Sequence, residues 1–192
     1  MDVREPYQFA LGHPPGSLNV PYSRKGLGDR LTTIYSSTKS VVIMANTTEQ
    51  AQEATEQLQN KAFTVLGVIT DSMEEWVAGG LPVQTVAEIS ANSISAVISD
   101  KPHSILDVRE PIEWEMGHVP GAILISLGEL KERLEEVPND IPLIIICEAG
   151  IRSSSAASVL QAYGINDIKN VTDGTAGYRN SNLPMEFYDG GE

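Results

Sequence analysis

The sequence is poor in cysteine, in basic residues and in long apolar runs. It has one cysteine in 192 residues, which excludes an intrachain disulfide scaffold and a structural zinc site built from several cysteines. Lys and Arg together number 13 against 26 Asp and Glu, so the formal net charge is −13. Because phosphate backbones and anionic lipids are bound by clustered basic side chains, nucleic-acid and membrane-surface functions are disfavoured.

Targeting and membrane signals are also missing from the sequence. The longest apolar run, residues 141–147, contains a proline and is far shorter than a bilayer span. The opening residues, MDVREP, are charged and lack the apolar core of a secretory signal. We therefore expect a cytoplasmic protein with neither a membrane nor a nucleic-acid partner.

An internal repeat divides the chain into two domains. The motif DVREP at positions 2–6 recurs at 107–111, and GHPPG at 12–16 recurs as GHVPG at 117–121, both at an offset of 105 residues. Leu81-Pro82 likewise matches Leu183-Pro184. A self-similarity that keeps its order indicates a duplicated domain. We assign residues 1–84 to the first copy and 85–192 to the second.

Each copy alternates apolar strands with helical segments, which predicts an α/β fold with a central parallel sheet flanked by helices. The run 143–147 is apolar and β-branched without polar alternation, as is typical of a parallel strand buried on both faces. In the second copy we predict strands at 85–89, 104–108, 122–125, 143–147 and 168–171, and helices around 94–98, 111–116, 127–134 and 153–163.

The two copies differ at their starts. A predicted strand and helix precede Asp107 within residues 85–106, whereas only Met1 precedes Asp2. The first copy thus lacks an initial strand and helix that its twin has. We expect the chain to be a piece of a longer polypeptide; the alternative is that something else completes this sheet.

The single cysteine lies where a buried strand is predicted to end. It is followed by a short loop and a helix, in the order Cys147, Glu148, Ala149, Gly150, Ile151, Arg152 and Ser153. A glycine turn leading into a helix N-terminus presents backbone N–H groups to an anion, and an arginine adds positive charge. Both favour the thiolate, which is the nucleophilic form of cysteine. A lone cysteine after an apolar strand is alternatively a small core residue, but the glycine, the arginine and the helix start favour a reactive thiol.

Four motifs together resemble the rhodanese-like domains of the sulfurtransferase family, and the resemblance extends over both halves. They are DVRE at 107–110, GHVPG at 117–121, CEAGIRS at 147–153 and VTDG at 171–174. The resemblance implies that Cys147 takes a sulfane sulfur from thiosulfate or a low-molecular-weight persulfide, holds it as a persulfide and passes it to a thiophilic acceptor. It implies small-molecule partners, a sulfur donor and a thiol acceptor, and no metal or organic cofactor.

The resemblance also implies the roles of individual residues. Cys147 and Arg152 are the predicted catalytic residues, and the loop that cradles the outer sulfur comprises Glu148, Ala149, Gly150, Ile151 and Ser153. Arg109 is a further substrate-binding candidate, because a guanidinium near the loop would steer an anionic substrate.

The first copy serves as an internal control for these assignments. At the loop position, residues 44–50, it reads MANTTEQ, without cysteine, glycine or arginine, so it resembles an inactive rhodanese-like domain. Arginine and histidine recur in both copies, as Arg4 with Arg109 and His13 with His118. Features kept where there is no nucleophile favour a structural role, which we expect for His118. For Arg109 the same argument favours a structural pairing with Asp107 at the strand end, and substrate binding is the alternative.

Two details of the loop bear on the substrate. Four residues separate Cys147 from Arg152, one fewer than in the fold-related phosphatases. The shorter loop leaves little room for a tetrahedral phosphate group, which disfavours phosphatase activity. Glu148 stands where many thiosulfate-using rhodaneses have a basic residue. Like-charge repulsion from this carboxylate disfavours a dianionic donor and opposes the thiolate, so we expect a small persulfide rather than thiosulfate.

One alternative function remains open at this point. The order of an inactive and an active copy resembles the C-terminal rhodanese pair of metallo-β-lactamase/rhodanese multidomain persulfide-processing proteins. This resemblance implies an upstream catalytic domain in a longer chain. On that reading the chain is a non-catalytic sulfur carrier or docking module; otherwise it is a rhodanese-type sulfurtransferase.

Overall fold

The computed structural model describes residues 1–36, 38–70 and 72–187. It divides the chain into two compact units, Met1–Val86 and Ala87–Glu192, where the repeat places the boundary after residue 84. No helix within the described residues is both long and apolar enough to cross a membrane.

The first unit contains a short parallel sheet and four helices in its described residues. In chain order they are α1 (Pro6–Leu11), α2 (Leu27–Ile34), β1 (Ser40–Met44), α3 (Thr48–Gln59), β2 (Thr64–Ile69) and α4 (Ser72–Ala78). The two strands pair in parallel, and isolated bridges join Asp2 to Asn19 and to Met44. Phe9, Leu31 and Ile43 are fully buried, so the helices pack on this sheet around a core of their own.

The second unit has a larger sheet of the same kind. Its elements are β3 (Ala87–Ile89), α5 (Ile94–Asp100), β4 (Ser104–Asp107), α6 (Pro111–Glu115), β5 (Ile123–Leu124), β6 (Leu143–Ile146), α7 (Ile151–Ala162), β7 (Ile168–Val171) and α8 (Gly174–Asn180). The described strands lie in the order β3-β7-β6-β4-β5, and every pair is parallel. Since all four residues of β6 are buried, this central strand is covered on both faces, as predicted.

The repeat is visible in the helices that follow the central strands. Helices α3 and α7 are both 12 residues long, and they begin at Thr48 and Ile151. By this correspondence Met44 occupies the position of Cys147. The loop from 147 to 150 thus leaves the carboxyl end of β6 and enters α7, at the sheet edge where open α/β folds bind ligands.

Helix α7 is buried along most of its length despite its serines. Residues from Ser153 to Gln161 are all buried, and two hydroxyls donate within the helix, from Ser155 to the Ile151 carbonyl and from Ser158 to the Ser155 carbonyl. Because small side chains with internally satisfied hydroxyls can be buried at little cost, the helix packs closely on the sheet and holds the loop in place.

One predicted helix is absent, and another begins earlier than predicted. Residues 127–132 form turns instead of an α-helix, followed by a 3-10 turn at Leu134–Glu136. The Leu127 N–H donates to the Val108 carbonyl, which ties the start of this segment to the residue after β4. Helix α7 begins two residues before the predicted Ser153 because Gly150, in the left-handed conformation, caps it.

Candidate active site

The thiol of Cys147 lies beside the first turn of helix α7. Cys147 follows the last residue of β6 and is 1% exposed. Its Sγ is 3.3 Å from Oγ of Ser153, which is fully buried. A hydroxyl at this distance can donate to a sulfur that carries negative charge.

Helix α8 engages the carbonyl groups of the loop. The Thr175 N–H donates to the Cys147 carbonyl at 2.8 Å, and the Ala176 N–H donates to the Glu148 carbonyl at 3.1 Å. Gly174 has a φ of +57°, and a Cβ there would lie 2.4 Å from both carbonyl oxygens. Only glycine lets the helix approach so closely. Gly174 was recognised in the VTDG motif but not predicted as a site residue.

Gly150 joins the loop to the end of β7. It has a φ of +80°, and a Cβ at this position would lie 2.3 Å from the Thr172 carbonyl oxygen. Its own carbonyl accepts from the Ser154 N–H at 3.2 Å and from Nδ2 of Asn170 at 3.4 Å. The start of α7 is therefore fixed against its neighbouring strand.

The backbone amides of the loop are left available. Within the described part of the chain, the N–H groups of residues 148–153 donate to no other protein group, as expected for a helix start that lacks a capping side chain. The first unit differs here. Thr47 Oγ1 accepts from the Gln50 N–H at 3.1 Å, and Gln50 Oε1 accepts from the Asn46 N–H at 2.9 Å. Side chains thus bind two of the equivalent amides in the first unit, and the Ala45 N–H donates to the Ile69 carbonyl, whereas the amides at 148–153 are free to bind an anion.

The guanidinium of Arg152 is held by Glu113. Two parallel hydrogen bonds, each 2.6 Å, join Nη1 and Nη2 of Arg152 to the Glu113 carboxylate. The bond from Arg152 lowers the pKa of Glu113 to about 2, although burial opposes the shift. The same bond raises the pKa of Arg152; burial opposes this, and the charges of Glu113 and Cys147 add to it. Sequence reasoning found Arg152 but missed Glu113.

Glu148 is also paired. Its Oε1 accepts from Arg179, its Oε2 accepts from Thr175 Oγ1 at 2.7 Å, and Nη1 of Arg109 lies 3.9 Å from Oε2. Burial raises the pKa of Glu148, but the bonds from Arg179 and Thr175 outweigh it, so the net pKa is lowered. The carboxylate is ionised and compensated, a circumstance that the simple like-charge argument did not include.

Arg109 is buried in an arrangement that both units share. Its Nε and Nη2 donate to the Asp107 carboxylate, with Nη2 to Oδ2 at 2.7 Å, and Nη2 also donates to the Gly117 carbonyl at 3.0 Å. Arg4 makes the same bonds to Asp2 and to the Gly12 carbonyl. Since the first unit has no nucleophile, this geometry belongs to the common fold. The remaining nitrogen of Arg109, Nη1, donates to the Glu113 carbonyl at 3.2 Å and lies 3.9 Å from Oε2 of Glu148.

The two histidines of the repeat are likewise equivalent. His118 stacks on Trp114 with ring centroids 3.5 Å apart, and His13 stacks on Phe9 at 3.6 Å. In each unit Nδ1 contacts the carbonyl of the stacked residue. These contacts hold the turn before the strand, which agrees with the structural role expected for His118.

A cavity of about 430 Å³ opens next to the loop. It is lined by Arg109, Glu113, Met116, Glu148 and Arg179. The side chains of the two remaining predicted loop residues, Ala149 and Ile151, are exposed, so they contribute to the loop through their backbone. Among the described residues, no group of three or more His, Cys, Asp or Glu is arranged to hold a metal ion.

The sequence and the fold resemble those of sulfur-transferring and rhodanese-related proteins. YrkF of Bacillus subtilis, named as a candidate sulfur carrier protein, is 37% identical over 91 residues, which are 47% of this chain and 49% of that protein. A sulfurtransferase of Allochromatium vinosum is 30% identical over 101 residues, 52% of this chain and 94% of that protein. The crystal structure of a rhodanese-related protein of Thermoplasma volcanium is 29% identical with a TM-score of 0.49, covering 53% of this chain and 99% of that one.

The chain thus spans about half the length of YrkF. A family model, the rhodanese-like domain, matches residues 1–79 and 90–181. The two matched segments cover both copies of the repeat, including the copy with no cysteine at the loop. This chain belongs to the rhodanese-like domain family.

Proposed function

We propose that the chain is a sulfurtransferase that carries a sulfane sulfur on Cys147 as a persulfide. The observation that carries the proposal is the position of the thiol, beside a helix start whose amides, at residues 148–153, have no protein acceptor among the described residues. Its partners are a small-molecule sulfur donor and a thiol acceptor. The membership of the chain in a family with named sulfurtransferases supports the same activity.

The reaction proceeds in two displacements that need no external oxidant. The Cys147 thiolate attacks the outer sulfur of the donor, and the donor's S–S bond breaks. The leaving group keeps the electron pair and departs as a thiolate from a persulfide donor, or as sulfite from thiosulfate. An acceptor thiolate then attacks the outer sulfur of the Cys147 persulfide, which breaks the new S–S bond and regenerates the Cys147 thiolate.

The residues of the loop act on the charge of the sulfur. The free amides and the N-terminal end of α7 stabilise negative charge on the thiolate and on the persulfide. The Ser153 hydroxyl, 3.3 Å from Sγ, donates to the same atom. Gly150 and Gly174 permit the close packing in which the loop carbonyls accept from α8 and the loop amides stay free. Burial of Cys147 limits its contact with water and with adventitious oxidants.

Transfer of sulfur to cyanide tests the proposal, with thiocyanate formation as the readout. We expect Cys147→Ser to lose the activity while the unfolding midpoint changes little, because the substitution replaces only the sulfur atom. A Cys147→Ser protein that forms thiocyanate at the wild-type rate contradicts the proposal.

The first unit offers a matched control. Met44→Cys in the Cys147→Ser background places a thiol at the equivalent loop position, where side chains already bind the N–H groups of Asn46 and Gln50. We expect this variant to stay inactive, because fewer free amides lie beside this thiol and Glu49 stands in the place of Arg152. Recovery of activity would show that the cradle is not required.

A further inference from the structure

The charged groups around the cavity of the second unit are arranged in closed ion pairs. Glu113 binds Arg152 through two bonds of 2.6 Å, and Glu148 binds Arg179. Arg109 is paired with Asp107. Each of the three guanidinium groups therefore already has a carboxylate partner before any substrate arrives.

Two of these pairs occur only in the unit that has the cysteine. In the first unit, the pair Glu113–Arg152 is replaced by Gln8 and Glu49. The pair Glu148–Arg179 is replaced by Ala45 and Val77. The first unit has an equivalent cavity of about 400 Å³, and its lining includes the uncharged side chains of Gln8, Ala45 and Val77. The two pairs are thus not a requirement of the fold.

The charge of Glu113 is not needed to begin its helix either. Glu113 accepts from the Glu110 N–H at 3.0 Å, as part of a capping box at the start of α6. Gln8 accepts from the Glu5 N–H at 3.2 Å and completes the same capping box at α1. An amide side chain serves the helix as well as a carboxylate does, so the negative charge of Glu113 has another role.

A closed ion pair discriminates between donors by their charge. A compact dianion gains little from a guanidinium that is already compensated, and displacing Glu113 from its bidentate contact or Glu148 from Arg179 would leave a carboxylate unpaired beside the anion. A donor that carries both an ammonium and a carboxylate group can exchange partners with a pair and leave no charge unpaired. A cavity of about 430 Å³ is within the range of small-molecule sites.

We propose that Glu113 and Glu148 determine donor specificity: by closing the pairs with Arg152 and Arg179, they select a low-molecular-weight persulfide of an amino-acid thiol against thiosulfate. This inference rests on the proposed sulfurtransferase function. Both ion pairs discriminate against dianionic donors, so Glu113 contributes to donor specificity as much as Glu148 does.

The test compares two donors, thiosulfate and cysteine persulfide, by kcat/KM for transfer to cyanide. The variants are Glu113→Gln and Glu148→Ala, which introduce the residues of the first unit and free one guanidinium each. We expect each variant to raise kcat/KM for thiosulfate about tenfold, as for the gain of one close charge partner, and to lower it for cysteine persulfide. Glu135→Gln, at an exposed carboxylate away from the cavity, controls for the change in net charge.

The outcomes separate the two proposals. A shift of the donor ratio in the two variants, with none in Glu135→Gln, supports the role of the pairs. An unchanged ratio in both variants, while the wild type transfers sulfur, overturns that role and leaves the sulfurtransferase function standing. A wild-type protein that turns over neither thiosulfate nor cysteine persulfide overturns the sulfurtransferase function and, with it, the proposed specificity.

Discussion

Replacing Gly150 by alanine tests the idea that the loop depends on a close backbone approach. Gly150 has a φ of +80°, and a Cβ there would lie 2.3 Å from the Thr172 carbonyl oxygen and 2.8 Å from its carbonyl carbon. Gly164, beyond the end of α7, has a φ of +91° but nothing within 4 Å of its Cβ position. The two glycines share a positive φ, but only at Gly150 would a Cβ meet neighbouring backbone atoms.

The expected loss of unfolding free energy is the sum of two costs, one for the left-handed backbone conformation and one for the steric contact. A left-handed conformation costs a residue with a Cβ about 1–2 kcal/mol, and alanine recovers about 0.4–1 kcal/mol through the unfolded chain. Gly164→Ala should therefore lose about 1 kcal/mol of unfolding free energy. Gly150→Ala meets backbone atoms that cannot rotate away, which adds an overpacking cost of about 1–3 kcal/mol. We expect a total loss of about 3 kcal/mol.

Urea unfolding followed by tryptophan fluorescence measures both variants. A Trp76→Phe background leaves Trp114 as the only tryptophan, so the signal reports on the second unit. Gly150→Ala should also slow sulfur transfer, because the amides at the start of α7 move with the loop, whereas Gly164→Ala should not. Equal losses of stability in the two variants would refute the close-approach argument.

Three further predictions concern the charged and polar groups of the second unit. Arg109→Ala should cost about 3–5 kcal/mol of unfolding free energy in urea, because it leaves Asp107 charged and unpaired in the interior; a loss below 1 kcal/mol contradicts this. The pKa of Glu113 is lowered from 4.5 to about 2, so its stabilisation is complete above pH 4.5 and disappears as the pH falls through 2. The stability difference between wild type and Glu113→Gln should therefore shrink over that interval, and a difference that stays constant from pH 5 to pH 2 is inconsistent with the pair. Ser153→Ala should slow transfer about tenfold through the lost hydrogen bond to a charged sulfur, as measured by thiocyanate formation; an unchanged rate excludes that bond.

Features that depend on short stretches of sequence were predictable. The repeat identified two copies, and the strand predicted at 168–171 coincides with β7 at Ile168–Val171. The apolar run after Ile141 forms the central strand β6, with Cys147 directly after it. These features follow from local composition and from the order of motifs, which a single sequence displays directly.

The partners of the loop were not predictable, because they are distant in the chain. Arg152 and Glu113 are separated by 39 residues, and Arg179 and Glu148 by 31. Periodicity and spacing report on neighbours along one element, so they give no signal for either pair. The fold also fixes the closeness of Gly174 to the loop carbonyls. Comparison of the two copies points to these residues, since Gln8 and Val77 replace Glu113 and Arg179 in the copy without the thiol.

The proposed function requires that Sγ of Cys147 hold the transferred sulfur. Intact-protein mass spectrometry after incubation with cysteine persulfide and removal of excess donor measures this directly, with Cys147→Ser treated in parallel. We predict that the wild type gains the mass of one sulfur atom, that cyanide removes it, and that Cys147→Ser gains none. A wild-type protein that gains no sulfur from this donor or from thiosulfate, or an equal gain in Cys147→Ser, would contradict the account.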